Sequence, residues 1–575
     1  MDQYRAIARE SLKSVSDDVN YTINAPNIES NIKLEELWDE ISRDDSTETA
    51  DEICENLLLI EAVLRNLNHD ELQKNDREAA RSLIFWTADF ILPTAEFAAV
   101  WGDSQLADDG DLKSILSKHK AARLKSTVGI SVLQLLNSIS PITQIDPDEV
   151  VDIITALAAY TCKTDPWTTE QAFNKATSIL GDYELSLRSS NDGGALATLL
   201  GEILKIKVKP LFARTKTPAL TAAGRKNVHP LPQVRFDPSI FDPESKPWKF
   251  RDVYVVTVLG WIVGRYLPTD KQTIESHLPL LIPAILSLID DESLPFKTKG
   301  CTLLTTFLAP LEESKSDILA RTNLDSVFQD AITPCLLSLP TITPENESIH
   351  LLKSAYPALL AVIRTRFPTS QEQTQTQTQP PPTKAKANND SAKRQKSLTT
   401  LLRHSLLHSY SHTSHPHPHP TSSISAYPYP HLSTLLLTQL PPLLTELGIH
   451  TTKHLQDLVP MLSATLANPF GTAYPPLLEA AVEAMRCVVV NGWVRVGRWR
   501  GEVMDGVCAC WVHVLEDGEG EMMGGLKEGL KRVVGVLRVV VQEGEGDVVD
   551  IDREFAELVR ADERLGGLLV GNEYF

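Results

Sequence analysis

Leu278-Pro279-Leu280-Leu281-Ile282-Pro283-Ala284-Ile285-Leu286-Ser287-Leu288-Ile289-Asp290-Asp291 is followed by Glu292-Ser293-Leu294-Pro295-Phe296 and then by Lys297-Thr298-Lys299-Gly300-Cys301-Thr302-Leu303-Leu304. The stretch reads as an apolar helix, an acidic turn and a second helix whose first turn carries lysines. Neither helix alone can bury so wide an apolar face, whereas stacked neighbours can, and that is the physical basis of a helical repeat. Two offset copies support it. One runs from Pro334-Cys335-Leu336-Leu337-Ser338-Leu339 through a polar turn to Leu351-Leu352-Lys353-Ser354-Ala355. The other runs from Leu458-Val459-Pro460-Met461-Leu462 through Asn468-Pro469-Phe470 to Leu477-Leu478-Glu479-Ala480-Ala481-Val482. Pro279, Pro334 and Pro460 are expected to head their helices, where the missing N–H is one of the orphaned donors of the first turn.

This pattern resembles the HEAT repeat, so the expected fold is all-α, an α-solenoid of HEAT/armadillo-like helical repeats. Elsewhere the same periodicity holds. Leu57, Ile60, Leu64 and Leu67 follow one helix face, as do Ile130, Leu133, Leu136 and Ile139. Asp252 to Trp261 is rich in β-branched residues, but its apolar character continues through Trp261-Ile262-Val263, too long for a typical strand, so a buried helix is expected. Composition changes abruptly near residue 368, where a Gln-Thr tract, Pro380-Pro381-Pro382 and a Ser/His/Pro tract follow one another. Such a segment buries too little apolar surface to offset its ordering entropy. Residues 368–431 are therefore expected to be a disordered linker, with one short helix at 397–407, between helical-repeat regions at 1–367 and 432–575. Beyond Gly518 the helical pattern is weakened by glycines, each costing about 1 kcal/mol against alanine inside a helix.

Composition excludes several classes. The chain has 575 residues, 42% of them hydrophobic and 23% charged, and a formal charge of −20. It is neither wholly disordered nor a small disulfide-stapled domain. The negative balance repels nucleic acid and anionic membrane, and no direct contact with either is expected. Seven cysteines, an odd number set mostly in apolar surroundings, read as free thiols of a reducing compartment. The N-terminus Met1-Asp2-Gln3-Tyr4-Arg5 has no apolar signal region, and the Leu278–Ile289 run is too short to cross a bilayer. A soluble protein of the cytoplasm and nucleus is expected.

Candidate chemistry is sparse. No phosphate loop, dinucleotide fingerprint, nucleophile elbow or His-Glu-x-x-His occurs, so no catalytic residue, cofactor site or metal site is assigned and the chain is expected not to be an enzyme. His412, His415, His417 and His419 alternate with prolines rather than in a fixed ligand geometry, and Cys487, Cys508 and Cys510 lack structural zinc spacing. A basic run of Lys205, Lys207, Lys209, Arg214, Lys216, Arg225, Lys226 and Arg235 has no acidic residue from Ile203 to Phe236. It is either a docking patch for an acidic partner or a solvated loop between repeats. In Lys246-Pro247-Trp248-Lys249-Phe250-Arg251 a tryptophan sits among cations, as a surface anchor or as packing for the next helix.

Several segments together resemble the Tel-two-interacting protein two family, the third subunit of the TTT (triple-T) cochaperone complex. They are Lys246-Pro247-Trp248-Lys249, the 286–304 turn with Asp290-Asp291 and Lys297-x-Lys299-Gly300-Cys301, and a later block. That block holds Leu447-Gly448-Ile449, Lys453-His454-Leu455, Val459-Pro460-Met461-Leu462, Asn468-Pro469-Phe470, and Asn491-Gly492-Trp493-x-Arg495 with Trp499-Arg500. The resemblance spans about residues 240–515. It implies a non-enzymatic scaffold that binds the other two TTT subunits. With the ninety-kilodalton heat-shock chaperone and the R-two-TP assembly, such a scaffold supports maturation of phosphatidylinositol-3-kinase-related kinases, and hence DNA-damage, telomere and nutrient signalling. It also implies Trp493, Arg495, Trp499 and Arg500, with Lys246, Trp248 and Lys249, as partner-binding candidates. A different HEAT-repeat adaptor, for nuclear transport or as a phosphatase regulatory subunit, is the alternative.

Overall fold

A computed structural model of the chain describes residues 2–16, 19–23, 33–42, 49–67, 74–101, 109–189, 194–213, 244–368, 384–414, 428–517, 521–543 and 550–570. These residues are all-α, and no strand occurs among them. The fold divides into two compact units, 1–295 and 296–575. The division thus falls at the acidic turn of the 278–304 stretch rather than at the compositional break near 368.

In the first unit the longer helices are α1 (Asp2–Lys13), α2 (Leu34–Ser42), α3 (Ala50–Arg65), α4 (Lys74–Ile91), α5 (Asp109–Ile139), α6 (Pro147–Ala158), α7 (Glu170–Ser189), α8 (Ala195–Ile203), α9 (Val255–Val263) and α10 (Lys271–Ile289). Packing is stepwise. α1 lies on α3, α2 on α4, α3 on α5, α4 on α6, and α5 and α6 on α7. Of the face read from Leu57, Ile60, Leu64 and Leu67, the first three are buried in α3 and Leu67 lies past its end, half-buried; Ile130, Leu133, Leu136 and Ile139 are all buried in α5. Thr49 and Glu52 form a capping box that starts α3 by satisfying two otherwise orphaned donors. The β-branched run is helical, as its length requires, and Val255 to Leu259 are buried in α9. After α8 the backbone widens to π pairing over Leu204–Val208. Pro210 follows immediately and cannot donate to the carbonyl four residues before it, and the wider turn accommodates that loss.

Helix α10 differs from expectation at its start. It begins at Lys271, so Pro279 and Pro283 lie inside it instead of at its head. Each interior proline removes a helical hydrogen bond and crowds the preceding turn, at a cost of about 3 kcal/mol. Burial of Ile274, Leu278, Leu281, Ile282, Ile285 and Leu288 offsets that cost. With the preceding short turn, the helix is long and apolar enough to span a bilayer, unlike the 12-residue run that the sequence suggested, but most of it is buried inside the protein.

The second unit holds α11 (Leu294–Glu313, whose first two residues precede the boundary), α12 (Leu324–Ile332), α13 (Glu345–Arg366), α14 (Lys384–Thr400), α15 (Pro430–Thr438), α16 (Leu440–Leu447), α17 (Leu455–Leu466), α18 (Pro475–Asn491), α19 (Arg500–Glu516), α20 (Glu521–Glu543) and α21 (Ile551–Ala561). Here α12 packs on α13, α13 on α15, α15 to α17 on α18, α17 on α19, and α18 and α19 on α20. Three expectations are corrected. Pro460 lies inside α17, which begins at Leu455, instead of at its head. Pro334 does not head a helix: Thr333–Leu337 is a single 3-10 turn closing α12, which buries Cys335 and Leu336 and leaves Leu337 exposed. Nor is all of 368–431 disordered. Residues 384–414 form α14, a π turn at Leu401–Leu407 and the helix His408–Ser414. Leu398, Leu401, Leu402, Leu406 and Tyr410 on this segment are buried. The Gln-rich tract and the His-Pro repeat lie outside the described residues.

The glycines of the C-terminal region allow helices to approach closely. A Cβ on Gly506 of α19 would stand 2.7 Å from Ser463 Cα on α17, and one on Gly529 of α20 would stand 3.0 Å from Val482 on α18. Gly506→Ala is accordingly expected to destabilise by about 1–3 kcal/mol through overpacking, although alanine is the better helix former. A lowered urea midpoint at unchanged helical content checks this.

Candidate interaction surface

Two motifs that the sequence shows far apart meet in the first unit. Residues Pro247–Phe250 form one helical turn, so Lys246 and Lys249, three apart, project from the same side. Lys246 Nζ donates to Asp291 Oδ2 at 2.7 Å and Lys249 Nζ to Asp291 Oδ1 at 2.8 Å. The Ser293 backbone N–H donates to Asp291 Oδ1 at 2.9 Å. The Asp291 side chain is fully buried. Burial alone pushes its carboxyl up, but the two ammonium groups and the Ser293 N–H outweigh that and hold it below the usual aspartate range. Trp248 is 0% exposed and stacks on Phe212, with ring centroids 5.3 Å apart and planes within 14°. Of the two readings of this motif, packing is correct and the surface anchor is not: Trp248 is core, and Lys246 and Lys249 neutralise a buried carboxylate.

The second cluster lies in the second unit, past the end of α18. Gly492 caps that helix and a short turn, Trp493–Val496, follows. Trp493 is 47% exposed, and the neighbouring Val490 and Val494 are 42% and 44% exposed. Arg495 and Arg498 are exposed, Trp499 is half-buried and Val496 is buried. The turn packs on the 3-10 helix Gly448–His454, whose Ile449 is also exposed. Arg500 points elsewhere. Its guanidinium forks onto Glu554 of α21 at 2.9 and 3.0 Å and bonds the Gly497 carbonyl at 3.0 Å. Side-chain hydrogen bonding to Glu554 raises the Arg500 pKa, and the same contact lowers that of Glu554. The structure therefore presents Trp493 and Arg495 outward together and holds Arg500 in an ion pair. The exposure of Val490, Val494 and Ile449 was not legible in the sequence, because helical periodicity alone assigns such residues to a core.

A cavity of about 690 Å³ opens between α19 and α21, with Met504, Cys508, Val512, Phe555 and Leu558 among its lining. Burial pushes the Cys508 thiol up to about 11, so it is not a reactive thiolate. Among the described residues, no group of three His, Cys, Asp or Glu side chains could hold a metal ion. Within the described part of the basic run, Lys205 pairs with Glu202 at 2.7 Å and Lys207 with Asp152, while Lys209 is exposed. Its remainder, Arg214 to Arg235, lies outside the described residues. His412 bonds the Pro340 carbonyl at 3.3 Å, and His415, His417 and His419 are likewise outside them.

The model of the Tti2 family aligns with residues 153–473, more than half of the chain. The matched stretch contains the Lys246–Asp291–Lys249 triad and α10 to α17, and it ends before Trp493. No curated protein matches the chain.

Proposed function

The chain belongs to the Tti2 family, whose members are subunits of the TTT complex, and on that premise we propose that it is a non-enzymatic scaffold acting in chaperone-dependent maturation of phosphatidylinositol-3-kinase-related kinases. The family match is the observation that carries this reading. Its direct partners are the other two TTT subunits. The kinase clients, the heat-shock chaperone and the R-two-TP machinery are reached through the complex, and the sites of action are the cytoplasm and nucleus.

The mechanism proposed is that of an α-solenoid of HEAT/armadillo-like repeats. What supports it is the stepwise packing within each unit, where a helix touches those one to three positions along the chain and each pair leaves a face for the next. Binding then spreads over many repeats, with local anchors. Trp493 with Arg495 is the anchor proposed, because an exposed tryptophan flanked by exposed valines and an arginine has the composition of an interface centre. Trp493→Ala is expected to weaken binding of the adjoining TTT subunit by about 2 kcal/mol or more. Because Trp493 is already half exposed in the isolated chain, its urea midpoint is expected to stay unchanged. Titration calorimetry with the purified partner measures the first quantity and denaturation the second.

Depleting the chain from its native cell tests the functional reading. Kinase protein levels are expected to fall at unchanged transcript levels and to recover on re-expression. Unchanged kinase protein after complete depletion overturns the reading.

A further inference from the structure

Helices α19 and α21 both rest on α20, and the cavity of about 690 Å³ separates them, open to solvent. Each wall carries an apolar stripe. Met504, Cys508 and Val512 recur every four residues along α19, and Ile551, Phe555 and Leu558 follow one face of α21; Met504, Ile551 and Phe555 form the buried floor, and Cys508, Val512 and Leu558 are half-buried above it. The trough is closed at its ends by ion pairs across it. Arg500 joins Glu554 at one end, and at the other Arg564, held by its near neighbour Asp562 at 2.7 Å, joins Glu516 of α19 at 2.7 Å.

Two facing apolar stripes at helical spacing fit the i, i+3, i+4, i+7 anchors of an amphipathic helix laid between them. Charge selects the kind of helix. The lining holds four carboxylates, Asp505, Glu554, Glu557 and Asp562, against two arginines, Arg500 and Arg564. Both arginines are already committed to carboxylates, and Asp505 and Glu557 are exposed at the rim, Glu557 with one oxygen 3.4 Å from Arg553 Nε. We propose that this trough is a docking site for a basic amphipathic helix of a partner protein, its apolar side chains seated between α19 and α21 and its lysines or arginines against Asp505 and Glu557. The site is separate from the Trp493 surface, and the proposal does not depend on membership of the TTT complex.

The test uses the full chain and two fluorescent helical peptides of identical spacing, one of leucine and lysine and one of leucine and glutamate. Anisotropy titration is expected to show saturable binding of the leucine–lysine peptide only. Val512→Arg, at a half-buried position on the wall, is expected to weaken that binding about tenfold or more by placing a charge in the trough. The double change D505K and E557K, at exposed positions, is expected to move the preference toward the leucine–glutamate peptide. Circular dichroism of both variants should match the parent. Equal binding of the leucine–lysine peptide to the Val512→Arg protein, or a preference unmoved by the double change, overturns the proposal, because the peptide then responds only to the overall negative charge. Co-purification with TTT subunits is read independently of either result.

Discussion

Deleting residues 384–414 is expected to abolish the native fold of the second unit. Leu398, Leu401, Leu402, Leu406 and Tyr410 on this segment are buried, and their loss strips apolar cover from the helices beneath. Polar ties would go as well. Arg394 donates to the Glu446 carbonyl at 3.0 Å and pairs with the Glu446 carboxylate, which Arg364 also holds at 2.7 Å. Tyr410 hydrogen-bonds Thr465 at 2.8 Å, and Arg403 pairs with Asp457 at 3.1 Å. Truncating Leu402 alone, with no exposed surface, is expected to cost about 2–5 kcal/mol. Deletion removes five such side chains at once, against a typical total stability of about 5–15 kcal/mol. Soluble expression and the urea midpoint of the Leu402→Ala and deletion proteins check this. A deletion protein that folds and assembles normally would show that the segment is a dispensable linker after all.

The second large effect is expected at the buried triad. Replacing both Lys246 and Lys249 by methionine leaves the Asp291 carboxylate buried with only the Ser293 N–H. Breaking a buried pair in this way costs about 3–5 kcal/mol, since an uncompensated charge remains behind. Adding Asp291→Leu to the double variant is expected to restore much of the stability, because apolar side chains of similar volume can replace a buried ion pair at little cost. The effect has a pH signature. The folded-state pKa of Asp291 is depressed, so its contribution is fully present above the unfolded value and is lost as pH falls through the folded value. The gap in urea midpoint between parent and double variant is therefore expected to be widest near neutrality and to close in acid below the ordinary aspartate range. A gap that widens in acid would contradict the ion-pair account.

Helix type was legible wherever the pattern was long and local. The faces through Leu57 and Leu133, and the buried helix through Val255–Val263, follow directly from apolar spacing. Pro334 was misplaced because a 3-10 turn of Cys, Leu and Leu has the same short apolar composition as a helix start. Residues 384–414 were obscured by their neighbours: Leu398, Leu401, Leu402 and Leu406 are few and sit between low-complexity tracts, so composition outweighed period. The tie between Lys246, Lys249 and Asp291 spans more than forty residues, and both ends were visible without the contact that joins them. Burial of Trp248 likewise depends on Phe212, a non-local neighbour. The outward face of Trp493 was visible as a motif, yet its apolar surroundings were not, because exposure of a valine in a helix is a property of packing rather than of spacing.

The most direct test of the central claim, that this chain is the Tti2-family subunit of a TTT scaffold, is affinity purification from its native cell followed by mass spectrometry. Recovery of the other two TTT subunits in near-equal amounts, with kinase clients in lesser amounts, is the result expected. Recovery of import cargo or of a phosphatase catalytic subunit in their place would contradict it.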